Sequence, residues 1–206
     1  MRRFSKTTGY FNTATGFEAL FYNTGDANTA DGVGALNRNT TGRYNTASGT
    51  DALAFNTTGN DNTANGGLAL INNTSGSENT ADGLDALHSN TSGNNNIASG
   101  YAALTGNTTG SNNIALGFQA GANLTTGSNN IDIGSAGIAG ESGKIRIGTR
   151  GTQKDTFIAG IYGETIANGV EVQIDDRGHL GTRTSSARFK RGDQADGKGE
   201  RSNPGA

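Results

Sequence analysis

Apolar residues in this chain return at a fixed interval too long for a helical or strand period. Ala30, Ala47, Ala64, Ala81, Ala98 and Ala115 form one series, and Leu36, Leu53, Leu70, Leu87 and Leu104 another, each stepping by seventeen residues. The polar positions step with them. The unit Asn-[Thr/Ile]-Ala-x-Gly-x-x-Ala-Leu-x-x-Asn-Thr-[Thr/Ser]-Gly-x-x opens at Asn28, Asn45, Asn62, Asn79, Asn96, Asn113 and Asn130 without insertion or deletion, and a slightly shorter copy opens at Asn12. Self-similarity of this kind marks a stacked repeat. Asn, Thr and Gly are too frequent in the unit for helix. Gly stands at the fifth and fifteenth positions, and Asn-Thr-Thr-Gly or Asn-Thr-Ser-Gly is turn chemistry. The segments between these turns, Asn-Thr-Ala-x-Gly and x-x-Ala-Leu, predict two strands of about five residues per coil.

The expected fold is all-β: a parallel β-roll or β-solenoid whose coils stack at about 4.8 Å. Seven copies would make a rod of roughly 30 Å. Its frame is predicted at Asn28, Gly32 and Leu36, then Asn45, Gly49 and Leu53, Asn62, Gly66 and Leu70, and Asn79, Gly83 and Leu87. Ala, Leu and the opening Asn should each form a ladder, the last comparable to the Asn ladders of cross-β stacks. One Leu per coil is worth about 2 kcal/mol when buried, whereas ordering seventeen residues costs on the order of 25 kcal/mol. Backbone ladders and side-chain amides must help, and coils of several chains are expected to pack together. The apolar content rises along the array in the direction this requires. Ile97, then Ile114 and Leu116, then Ile131 and Ile133 replace polar residues at the same unit positions.

Residues 1–11 read as a lead-in and 12–134 as repeats. From Ser135 the period is lost, and residues 135–184 read as a β cap or neck with candidate strands at 144–149, 156–162 and 170–174 and a hairpin turn at Asp175-Asp176-Arg177-Gly178. Residues 185–206 are Gly-rich, polar and without period, the composition of a disordered tail.

Composition narrows the function. Thirty-four Gly and a hydrophobic share of 32% would suit a disordered chain, but strict periodicity argues for order. There is no Cys, hence no disulfide and no thiolate metal site. No apolar run reaches the ~18 residues of a membrane span. Net charge is −2, and within the repeats Arg38 and Arg43 are the bases set against many Asp and Glu, so the array repels nucleic-acid phosphates. The basic start, Met1 to Lys6, lacks the apolar segment of a secretory signal. With repeats under way by Gly9, the chain reads as beginning inside a longer array.

Candidate chemistry is sparse. Asp31 and Asp82 share a unit position but lie three coils apart, about 14 Å, too far for a glycosidase pair. Asp82 and Asp85 do not recur as a pair. His88 and His179 have no spaced ligand partners, and no copy carries the Gly-Gly-x-Gly-x-Asp of calcium β-rolls, so no cofactor or metal is expected. Sequons at Asn39, Asn56, Asn73, Asn90, Asn107 and Asn123 follow from the turn motif itself, with glycosylation a second reading. Arg191-Gly192-Asp193 is a tripeptide some integrin ligands use. Thr29, Thr46, Thr63 and Thr80 form a ladder of the kind that orders ice, which Ile97 interrupts.

Ser111-Asn112-Asn113-Ile114-Ala115-Leu116-Gly117-Phe118-Gln119-Ala120-Gly121 resembles the head repeats of trimeric autotransporter adhesins, over about residues 9–134. That resemblance implies a left-handed parallel β-roll in which three chains pack side by side, although this unit is longer than the family's usual head repeat. Leu180 to Lys190 is similar to the junction where phage tail-spike and endosialidase-type fibres join a self-cleaving intramolecular chaperone. It implies a cut before Ser185, with Ser185 and Lys190 as the catalytic pair, a Lys of lowered pKa activating the hydroxyl. In that family an acidic residue and a long helical domain follow. Here Arg191 to Ala206 follow instead, so the pair is expected to be inactive. The resulting expectation is a structural or adhesive segment of a homotrimeric fibre, extracellular on a bacterial surface or phage tail. Its partners would be a cell surface, matrix or glycan, without nucleic acid or membrane span, and it is not expected to be an enzyme. The alternatives are a self-processing fibre protein cut at Ser185 or a glycan depolymerase.

Overall fold

The computed structural model describes residues 8–158 and 171–182. Among these no helix forms. Nine strands, β1 (Thr13–Thr15), β2 (Thr29–Asp31), β3 (Thr46–Ser48), β4 (Thr63–Asn65), β5 (Thr80–Asp82), β6 (Ile97–Ser99), β7 (Ile114–Leu116), β8 (Ile131–Ile133) and β9 (Ile145–Ile147), stack in chain order as one parallel sheet. Equivalent residues pair directly, Thr29 with Thr46 and Thr46 with Thr63, so the chain is a β-solenoid with the expected coil. In each strand from β2 to β7 the central Ala points inward and is buried while the first residue faces out.

Each coil has one strand of three residues, not two of five. The second expected strand, x-x-Ala-Leu, is a run of overlapping turns: Ala35 N–H donates to Gly32 C=O, Asn37 to Gly34 and Asn39 to Leu36. Its core leucines lie in the left-handed region, with φ of 48° at Leu36 and 53° at Leu53. Such a conformation costs a non-Gly residue on the order of 1–3 kcal/mol, and neighbouring coils enforce it. Alternating left-handed residues aim successive N–H groups up and down the stack, Leu53 N–H to Ala69 C=O in the next coil and Asp51 N–H to Val33 C=O in the previous one. A pleated strand would satisfy the same groups but would carry Leu53 and Ala52 to opposite faces. The turns bury both.

The core is a stack of small layers. Columns through Ala47, Ala52 and Leu53 are fully buried, and two columns of asparagine are buried beside them. The opening Asn forms the expected ladder: Asn62 Nδ2 donates to Asn45 Oδ1 (3.0 Å) and to Gly76 C=O (2.9 Å), while Asn62 N–H donates to the same Oδ1 (3.0 Å). The second column, Asn39, Asn56, Asn73, Asn90 and Asn107, is the Asn of the turn motif. It closes its turn, Asn56 Nδ2 to Gly59 C=O at 2.9 Å, and also ladders to the coil below, Asn56 Nδ2 to Asn39 Oδ1 at 2.7 Å. The two glycines of the unit act differently. Gly49 has φ of 133°, and its Cβ would meet the Gly66 carbonyl carbon at 2.6 Å. Gly59 has ordinary φ but no room, since a Cβ would lie 2.5 Å from Asn56 Oδ1 and collide with the Gly76 carbonyl.

The stack continues past the loss of sequence period. Ile145, expected in a separate cap, pairs with Ile131 as the ninth rung after a shorter coil, in which Lys144 N–H donates to Asn130 Oδ1 fourteen residues earlier. In the coil from Asn113 the core leucine changes wall. Gly121 takes the Leu position and Leu124 the Asn position, and Leu124 is fully buried. Asn107 Oδ1, which the next Asn would have met, has no hydrogen-bond partner.

The described residues from Thr156 onward belong to a second unit. Within it β10 (Val172–Ile174) and β11 (Leu180–Thr182) pair antiparallel as the expected hairpin. Asp175 closes the turn: its Oδ1 accepts from the N–H groups of Arg177 and His179 at 2.9 Å each, and the His179 N–H bond holds its carboxyl below the usual range. The candidate strand at 156–162 is described as far as Ile158 and is not a strand there.

A candidate interaction face

The outward residues of the sheet divide it in two. On β1 to β5 the first strand position is Thr throughout, and the third is Thr15, Asp31, Ser48, Asn65 and Asp82. On β6 to β9 the same two columns read Ile97, Ile114, Ile131, Ile145 and Ser99, Leu116, Ile133, Ile147. Pairing is in register, so these apolar residues form one band, and Ile97, Ile114, Leu116 and Ile133 are exposed. Exposure is greatest at the last rung, 69% for Ile145 and 72% for Ile147. Just past the strand corner Tyr101 and Phe118, both exposed, stack with centroids 5.4 Å apart and planes 11° from parallel. Apolar residues such as Phe17, Val33, Phe55 and Leu84 are exposed elsewhere on the coils, but an in-register, contiguous apolar band of this kind marks a candidate interaction site.

Other x positions divide between surface and scaffold. Tyr44 is exposed and Arg38 lies 5.0 Å over the Phe55 ring. Arg43 lies 3.6 Å from Asp26 in an exposed ion pair. The position Arg43 occupies is otherwise structural, because an oxygen-bearing side chain there accepts a backbone N–H from the coil below: Asn60 N–H to Ser77 Oγ (3.0 Å), Ser77 N–H to Asn94 Oδ1 (2.8 Å), Asn94 N–H to Ser111 Oγ (3.0 Å).

The predicted frame residues Asn28, Leu36, Asn45, Leu53, Asn62, Leu70, Asn79 and Leu87 are all buried, and Gly32, Gly49, Gly66 and Gly83 all have positive φ. Asp31 and Asp82 sit on β2 and β5 and are not brought together, and Asn65 Nδ2 donates to Asp82 Oδ1 at 3.0 Å. Among the described residues no group of three or more His, Asp or Glu could hold a metal. His179 Nδ1 lies 3.1 Å from Asp175 Oδ2 within the hairpin turn. Asn39, Asn56, Asn73, Asn90 and Asn107 are fully buried, which closes those sequons to a glycosyltransferase, whereas Asn123 is exposed. Ser185, Lys190 and Arg191-Gly192-Asp193 lie outside the described residues. No long apolar helix exists among the described residues to cross a membrane.

One group escaped the sequence reading: Asp132, one of the Asp and Glu of the repeats, was not singled out there. It occupies the inward position held by Ala in β2 to β7 and is 1% exposed. Neither of its oxygens has a hydrogen-bond partner. Arg146, its Cα partner on β9, is held instead by Glu141, at 2.8 Å from Nε to Oε1 and 2.6 Å from Nη2 to Oε2. Burial, reinforced by the Glu141 charge and opposed by Arg146 and by the nearby Ser135 hydroxyl, which falls short of a well-formed hydrogen bond, pushes the Asp132 carboxyl up to about 6. The same Arg146 bond holds Glu141 below its ordinary value. Counting by seventeen from Ala115 lands on Asp132, and that register was the signal available in the sequence.

Set against known protein families, curated proteins and solved structures, the chain matches none.

Proposed function

We propose that this chain is a structural and adhesive segment of a homotrimeric fibre, displayed outside the cell on a bacterial surface or a phage tail. In this reading the apolar band of β6 to β9 packs against the same band of two further copies. The polar coils of β1 to β5 then present Thr, Asp and Asn rows to a cell surface, matrix or glycan, where repetition multiplies weak contacts. The observation that carries it is the band itself: Ile97, Ile114, Leu116, Ile133, Ile145 and Ile147 are in register and uncovered in the single chain. At roughly 1 kcal/mol for each half-exposed side chain, six would contribute about 6 kcal/mol per copy. That is comparable with the ~4–15 kcal/mol that association costs in lost freedom, so removing two of them should dissociate the assembly.

Light scattering and chemical cross-linking of the full chain provide the test. A trimer is expected for the native chain and a folded monomer for Ile114→Lys/Leu116→Lys. A native monomer with an intact β signal would end the trimeric reading. Glycan-array and cell-binding assays on the same preparations test adhesion separately.

A further inference from the structure

Asp132 is at odds with every other coil. Along its column β7 supplies Ala115 on one side, and on the other β9 supplies Arg146, so the apolar column turns ionic at the end of the stack. The carboxylate is enclosed rather than solvated: a Cβ on Gly137 would lie 2.8 Å from Asp132 Oδ2 and 3.2 Å from the buried Leu124. The charged groups around it are Glu141, on the segment leading to β9, and Arg146 on β9, and these two are bonded to each other. Lys144, on the same segment, acts on Glu141. Arg146 is engaged by Glu141 and offsets the Asp132 charge only in part, and among the described residues no group of three or more His, Asp or Glu could hold a metal. A proton is the ligand the site can accept.

We infer that Asp132 is a proton-binding site that closes the C-terminal end of the solenoid, the coil carrying β9 docking tightly when the carboxyl is neutral and loosening when it ionises. A buried carboxylate with no well-formed hydrogen bond, beside a cation already paired with another acid, disfavours its ionised form. Opening the last coil returns Asp132 to water, where its ordinary value of 3.8 applies, against about 6 when enclosed. Because the enclosed value is the higher, the contribution to stability is full below 3.8 and is lost as pH rises through about 6. Glu141 works in the opposite sense below its ordinary 4.5, so the two are separated by working above that pH. The coil that opens carries Ile145 and Ile147, the most exposed part of the apolar band, so protonation sets how firmly that end of the band is held.

Hydrogen exchange on the full chain, corrected for the intrinsic pH dependence of amide exchange, provides the test. Between pH 4.5 and 6.5 the opening of residues 131–147 should increase about 20-fold relative to the mid-rod coils. Asp132→Asn and Asp132→Ala should remove that increase, and Asp132→Ala should also protect this coil more than the native chain at pH 7. A native chain whose 131–147 segment tracks the mid-rod coils, or variants that keep the increase, would overturn the proposal. Should neither variant fold, a carboxyl 13C titration of the native chain decides: a midpoint near 6 supports the site, and one below about 4.5 refutes it.

Discussion

Between Asn28 and Asn112 each coil makes the bonds of the coil before it, whereas between Asn113 and Thr149 the same wall is built from substitutions. In the first region an asparagine amide meets its own image above and below, as Asn73 does with Asn56 and Asn90. In the second, Leu124 breaks that column and Asp132 breaks the alanine column. The three buried unpartnered side-chain atoms among the described residues, Asn107 Oδ1 and both Asp132 oxygens, all lie at this junction. A ladder of identical polar groups is self-consistent only while it continues. One breach strands the rung beside it, because in a low-dielectric core no water replaces the missing partner. The regular coils are built to propagate and the last ones to stop, at the cost of unsatisfied groups.

That contrast can be broken most sharply at glycine. Gly59→Ala places a methyl against the Gly76 carbonyl and Asn56 Oδ1, rigid atoms that cannot move without shifting a coil. We expect a loss of more than about 3 kcal/mol, or no soluble protein at all. Gly134→Ala, at φ of 60° with nothing within 4 Å, should cost about 1 kcal/mol. Thermal unfolding followed by circular dichroism separates the two, and equal costs would mean that coil contact does not govern the fifteenth position.

The asparagine column offers a subtler comparison. Asn73→Ala leaves Asn56 Oδ1, Asn90 Nδ2 and Gly76 C=O each short of a bond, and should cost about 2–4 kcal/mol. Asn107→Ala removes a residue whose Oδ1 is already unpartnered, so its cost should be about 1 kcal/mol smaller. Denaturant melts of both variants would sharpen the comparison, and the reverse order would show the breach at Leu124 to be harmless.

A small effect is also expected at Glu141→Gln, which removes the charge-assisted pair with Arg146 and should cost about 1 kcal/mol. Because Glu141 is held below its ordinary value, its contribution is present above pH 4.5 and lost as pH falls through its depressed value. The difference between native and variant melting temperatures should therefore shrink under acid. A pH-independent difference would reduce the pair to packing.

Much of this was legible without coordinates. The strict period fixed parallel stacking, since only a coil that meets its own copy can keep seventeen residues without insertion. It also named the residues of the Leu, Ala and opening Asn columns. What a period cannot carry is the path of the chain inside one coil. Nothing in x-x-Ala-Leu says that its leucine is left-handed, because local propensity opposes that conformation and bonds to two neighbouring coils impose it. The turn asparagine was legible as a turn residue, but its second role in a buried ladder depends on the coil below. Asp132 stood in the sequence simply as one more acid of the repeats, and charge ordinarily argues for exposure. Only the stack, which leaves the third unit position no route to water, decided otherwise.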